Sequence, residues 1–250
     1  MPFVSPAAFR LMLLLVVAMA GSPAVSGRAA AQVEANPTDA SIDLLRKAVT
    51  PQRDGAHLPL LFALRQLRDP DLRPLFHQLV QAGEWQMQVH AALGLAEIEA
   101  SGQIDPFVIR RIAPQAQEAV VATALDLRLL PPALIPKILE LDDLHPMARL
   151  FLHAEQHLLK QPSDTDAIRR FVEAQDAFVS GIASALLAQA GDPAAFAAWK
   201  DRIANAAPRD RDAATLWLID VARRYNLTAL VPWITGVVSA PDIDRELAYR

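Results

Sequence analysis

The chain has 250 residues, 52% of them hydrophobic, with 24 Lys and Arg against 28 Asp and Glu and a formal net charge of −4. The absence of cysteine removes disulfides, thiolate metal sites and cysteine nucleophiles. A mildly acidic chain lacks the basic footprint of a nucleic-acid binder, and the scarcity of Gly beside abundant Ala, Leu, Arg, Glu and Gln argues against an all-β fold.

Residues 1–31 read as a secretory signal peptide. Arg10 and the N-terminal amine supply positive charge, residues 11–20 (LMLLLVVAMA) the apolar stretch, and Gly21 and Pro23 end it. Ala29, Ala30 and Ala31 before Gln32 fit the small-residue cleavage rule, with Ala18 and Ala20 as a second candidate. The apolar run is about half of the roughly 20 residues that a bilayer span needs, and no later segment is longer and as apolar. The expected location is therefore periplasmic or secreted, with no stable membrane span after cleavage at Ala31. Residues 32–250 carry 22 basic and 28 acidic side chains, a net charge of −6.

Residues 32–55 form a polar lead-in with one short helix expected over 39–49, where Ile42, Leu44, Leu45 and Val49 are apolar. From residue 56 to 250, helix-length apolar segments follow one another with short breaks. Asp69-Pro70, Asp105-Pro106 and Asp192-Pro193 share one device: Asp can cap free helix N–H groups, and Pro already has the φ of a first helical residue. An apolar residue, then a small or aromatic residue and Leu three and four positions on, recurs in six segments ending at Leu64, Leu93, Leu125, Leu152, Leu186 and Leu218. The spacings are 29, 32, 27, 34 and 32 residues, and the three positions share one helix face. A second helix fits after each copy, over residues 71–79, 106–112, 133–139, 167–172, 194–203 and 228–238. The expected fold is all-α: a solenoid of about six antiparallel helix pairs, stacked because one pair cannot bury both its apolar faces. Asp242, Asp244, Leu247 and Ala248 read as the opening of a further first helix.

The segment His90-Ala91-Ala92-Leu93-Gly94-Leu95-Ala96 and residues 183–193, which end in Gly191-Asp192-Pro193, resemble the short bacterial HEAT-like repeats of the PBS-lyase type. The resemblance covers about residues 57–240 and is strongest over 183–198. It implies a HEAT-like superhelix that binds other molecules. The tetratricopeptide framework of Trp, Gly, Tyr, Ala and Pro does not align.

No residue set carries catalysis. His153 and His157 lie four apart on one face, but Glu155 is not where a His-Glu-x-x-His zinc helix needs its acid. The acid pairs Asp142 with Asp143, Glu97 with Glu99, and Asp242 with Asp244 do not face each other on a helix. No nucleophile elbow or phosphate loop occurs; Ser180, Gly181 and Ser184 read as small residues that let helices approach closely. Accordingly, no catalytic, cofactor-binding or metal-ligating residue is assigned and no cofactor is expected. Trp217 occupies a core position of its repeat, and Trp233, after Pro232, is the tryptophan expected to reach the surface.

The second helices carry Arg73, Arg110, Arg111, Lys137, Arg169, Arg170, Lys200 and Arg202 against five acids, a balance of +3. Arg110, Arg111, Arg169, Arg170 and Lys200 are the candidate ligand-binding basic strip, since guanidinium groups grip carboxylates and phosphates in pairs of hydrogen bonds. The function expected is that of an exported scaffold binding a protein or peptide, anionic where it meets the strip. The alternative is an envelope glycan-binding or cell-envelope-processing accessory protein whose tryptophans stack on sugars. N-terminal sequencing of protein recovered from the periplasm or medium is expected to start at Gln32; intact Met1 would exclude the assignment.

Overall fold

The computed structural model describes residues 37–51, 55–205 and 208–239, with side chains for 41–51, 55–205, 214–215 and 218–239. The segment 1–31 expected to be a signal peptide, the Trp217 side chain and residues 242–250 lie outside this range. The fold is all-helical, with no strand among the described residues. Among the described residues thirteen α-helices follow in order: α1 (Pro37–Ala48), α2 (His57–Leu67), α3 (Arg73–Leu79), α4 (Trp85–Ile98), α5 (Pro106–Arg111), α6 (Pro114–Asp126), α7 (Ile135–Leu139), α8 (Pro146–Leu158), α9 (Thr165–Arg169), α10 (Ala177–Gln189), α11 (Pro193–Ala204), α12 (Pro208–Tyr225) and α13 (Val231–Val238). The long helices α2, α4, α6, α8, α10 and α12 hold the six repeated leucines. Each is followed by a second helix where the spacing left room for one. Those before α3, α7 and α13 open as 3-10 turns at Pro70–Leu72, Pro132–Leu134 and Thr228–Leu230.

Helix starts follow the expected chemistry. Asp105 Oδ1 accepts from Phe107 N at 2.8 Å with Pro106 in the first helical position, and Asp69 does the same for Asp71 N at 3.0 Å. Asp164 and Asp176 cap α9 and α10 without a following Pro. The third Asp-Pro pair departs from the expectation: Asp192 makes no side-chain cap bond at the start of α11, because its carboxylate is drawn sideways to Arg169 Nη1 at 2.7 Å.

Helix ends share a device that the residue types conceal. Arg68, Arg128, Lys160 and Asn226 have φ of 50°, 58°, 56° and 51°, and Gly102 and Gly191 have 59° and 99°. Each sits in the turn that ends a long helix. After α6, α8, α10 and α12, the next amide donates back across the reversal: Leu129 N to Ala124 O, Gln161 N to Gln156 O, Asp192 N to Leu187 O and Leu227 N to Ala222 O, at 2.8–3.0 Å. This is the Schellman closure, which satisfies otherwise orphaned carbonyls. A β-carbon in this region costs about 1 kcal/mol relative to glycine, so Arg128 and Lys160 are held there by their surroundings.

The helices form two compact units, Met1–Gly102 and Gln103–Arg250. In the first, α2 and α3 pack on α4, and α1 packs on α3. In the second, α6, α8, α10 and α12 pack in succession, with α5 on α6, α7 on α8, α9 and α11 on α10, and α13 on α12. The long helices of the second unit run parallel. Their starts are joined by Gln117 Oε1 accepting from His145 N at 2.8 Å, and their ends by Gln189 Nε2 donating to His157 Nε2 at 2.8 Å and to Asn226 O at 3.2 Å. The row also curls. α12 touches α8 as well as α10, Phe151 stacks on Tyr225, and Arg224 reaches Asp126 of α6 at 2.7 Å.

Close approach depends on two glycines. A β-carbon on Gly94 would lie 2.8 Å from the buried Phe76 ring, and one on Gly181 2.8 Å from Trp199. Ser180 and Ser184 flank Gly181 and are wholly buried; Ser180 Oγ donates to Asp176 O at 3.0 Å. The small residues of α10 thus do let α11 close on it. Gly181→Ala is expected to destabilise by about 1–3 kcal/mol despite the better helix propensity of alanine, whereas Gly236→Ala, with open space around it, is expected to be neutral or stabilising by urea denaturation.

Candidate functional site

The described concavity lies in the second unit, between α11 and α13. Phe196, Lys200 and Ile203 follow helical spacing along α11, and Pro232, Trp233, Gly236 and Val237 face them from α13, around a groove of about 590 Å³. Two of its rings rest on Trp199, which is buried and donates from Nε1 to Ala177 O at 3.0 Å. Phe196 stacks on Trp199 at 5.6 Å between ring centres, and Trp233 meets Trp199 edge-on at 4.8 Å. Lys200 Nζ stands 5.4 Å from the centre of the Phe196 ring. The result is an apolar, aromatic-walled groove with one cation at its side, within the size range of small-ligand and side-chain pockets. Trp233 is half-buried as part of that wall.

Arg110, Arg111, Arg169 and Arg170 are exposed, and Lys200 is half-buried. Arg169 pairs with Asp192, and Arg202 with Glu173 at 3.5 Å and Val172 O at 2.9 Å, so bonds tie the α9 region to α11. Arg111 lies over the Phe107 ring at 4.5 Å. Arg110 and Arg170 have no ion-pair partner among the described residues. No bond brings Arg110 or Arg111 to Arg169, Arg170 or Lys200 among the described residues. In the first unit, Arg73 pairs with Glu99 at 3.1 Å.

Two polar clusters escaped the sequence reading. In the first unit, Arg65 grips Glu97 through Nε at 3.0 Å and Nη2 at 2.6 Å, both side chains nearly buried. His57 Nε2 lies 3.0 Å from Glu84 Oε2, and His90 is buried beside them. His90 is held down to a pKa of about 3, first by burial and then by the charges of Arg65 and His57. The clue was polar residues on apolar stripes: His57, Leu61, Leu64 and Arg65 are all buried on α2.

In the second unit, Glu118 of α6, His145 at the start of α8 and Asp176 at the start of α10 come together. His145 Nδ1 accepts from Met147 N at 3.3 Å, capping α8, and lies 3.6 Å from Glu118 Oε2. Burial, and secondarily Asp176, raises the Glu118 pKa, while burial lowers that of His145.

His153 Nδ1 lies 3.1 Å from Gln156 Oε1, and His157 accepts from Gln189. No group of three or more His, Asp or Glu among the described residues is placed to hold a metal ion. No helix among the described residues is long and apolar enough to cross a membrane. No protein family, curated protein or solved structure matches the chain.

The depressed His90 pKa has a definite sign. The unfolded chain takes up a proton near pH 6.5 that the folded first unit refuses until about pH 3, so stability present above pH 6.5 is lost as pH falls through that window. His90→Leu is expected to reduce the drop in urea midpoint between pH 7 and pH 4; an unchanged drop would assign the acid sensitivity elsewhere.

Proposed function

We propose that the chain is an exported, HEAT-like helical-repeat binding protein without catalytic activity, and that the α11–α13 groove takes an apolar or aromatic side chain of a peptide or protein partner. The observation that carries this reading is the groove itself: Phe196, Ile203, Trp233 and Val237 supply apolar wall, and Lys200 supplies a cation for an acid beside the inserted side chain. Aromatic anchors in pockets dominate peptide recognition energies, and a single charge at the rim sets orientation. The exposed cation Arg170, just after α9, would extend the anionic preference. Trp233 also favours a second reading, an envelope glycan-binding accessory protein, because its indole lines the groove and sugars stack on such rings.

Peptide arrays pairing an aromatic residue with a neighbouring acid are expected to bind. Lys200→Glu should weaken them about tenfold or more while leaving the melting temperature unchanged, and Trp233→Ala should abolish binding. Tryptophan fluorescence responding to soluble envelope glycans and not to peptides would select the glycan reading; no response to either would reject the groove as a ligand site.

A further inference from the structure

We propose that the edge of the second unit formed by the C-terminal ends of α6, α8, α10 and α12 docks on an anionic lipid surface. Those ends are gathered by the Arg224 to Asp126 ion pair and by the Gln189 bonds to His157 and Asn226. At the edge, Leu127, Leu158 and Leu159 are 48%, 42% and 40% exposed. Leu127 precedes Arg128, and Leu159 precedes Lys160. Both cations occupy the left-handed position of a Schellman closure, with φ of 58° and 56°. Gly191 fills the same position after α10, and Asn226 after α12. The fold therefore accepts residues suited to that backbone, yet two of its four closures carry long cations there.

The chemistry of the tips fits a bilayer. A leucine beside a cation at a chain reversal can enter the headgroup region while the longer Arg or Lys side chain keeps its charge at the level of the phosphates. Asp126, which immediately precedes Leu127, is paired with Arg224 at 2.7 Å, and Arg128 and Lys160 have no ion-pair partner among the described residues. Glu155 lies close by, within reach of the opposite charge of Arg224. A peptide partner would need free polar groups that fix its register, whereas at this edge Gln189 Nε2 is already engaged with His157 Nε2 and Asn226 O. Two cations and a few leucines give reversible, salt-sensitive attachment. The docking edge uses residues other than those of the α11–α13 groove, so either can fail without the other.

The test is flotation of the full chain with vesicles of phosphatidylglycerol and phosphatidylcholine against phosphatidylcholine alone. The neutral vesicles report apolar binding by residues 11–20; because Arg10 and Arg28 add to any excess on anionic vesicles, the readout is the part of that excess lost in the variants of the edge. That excess is expected at low ionic strength and should vanish in 0.5 M salt as the surface charges are screened, the Debye length being only about 3 Å at 1 M. The double variant Arg128→Gly, Lys160→Gly should reduce the excess about fivefold or more for each cation removed. Because glycine suits the left-handed backbone, its melting temperature should be unchanged or higher, which separates lost docking from lost folding. Leu127→Gln with Leu159→Gln should lower the excess as well. No excess on anionic vesicles, or a glycine variant that floats like the parent, would overturn the proposal. So would capture by soluble polyglutamate without vesicle binding, which would assign the edge to an acidic protein.

Discussion

A helix pair in this chain cannot cover its own apolar surface, and the rest of the structure follows from that constraint. On α10 every residue from Val179 to Leu187 is buried, and on α4 all from Met87 to Ala96. Helices buried on all sides need neighbours on all sides. For α10 these are α8 and α12 within the row of long helices and α9 and α11 from the short ones. Such crowding explains why Gly181 and Gly94 oppose the largest side chains nearby: backbone and ring must share the space that a methyl group would take. Some polar groups that enter the interior arrive with partners, as Arg65 does with Glu97 and Gln117 with Ile109 O and His145 N, whereas Ser184 Oγ and His90 Nδ1 have none among the described residues.

Parallel long helices have an electrostatic consequence. Their peptide dipoles add side by side, leaving partial positive charge at the gathered starts and partial negative charge at the gathered ends. Several side chains of the second unit follow this field: Glu118 and Asp176 lie at the starts, and Arg128, Lys160, Arg223 and Arg224 at or next to the ends, where they also meet Asp126 and Glu155. Part of what holds Arg128 and Lys160 in a left-handed backbone is this attraction, typically about 0.3–1 kcal/mol for an exposed cation.

What the sequence made legible was local. Asp105-Pro106 announces a helix start because capping involves residues two or three apart, and the leucine spacing announces six long helices because a core face repeats every few residues. The Arg128 and Lys160 closures were hidden because neither residue type signals a left-handed turn; Gly191 and Asn226 do. The groove was half visible: Trp233 was marked for the surface, but its opposite wall, Phe196, lies 37 positions away, and no periodicity within a helix reports a partner on another. Arg65 with Glu97 was hidden for the same reason. The strip Arg110, Arg111, Arg169, Arg170 and Lys200 came from charge counting, which cannot foresee that Asp192 would be turned to meet Arg169.

The Arg224 contacts bear on how the second unit acquires its structure. In an open row each helix meets only its neighbours in sequence, and folding can begin anywhere and spread. Here the Arg224 guanidinium donates to Ala122 O, 102 residues earlier, at 3.4 Å, closing a loop that spans α6 to α12. Such closure costs chain entropy that the local contacts do not, so it is expected to form late, once α6, α8 and α10 have stacked. Interactions formed that late act on escape from the native state more than on the approach to it. Arg224 is thus a latch: it makes a row of helices that could fray one pair at a time release as a single piece.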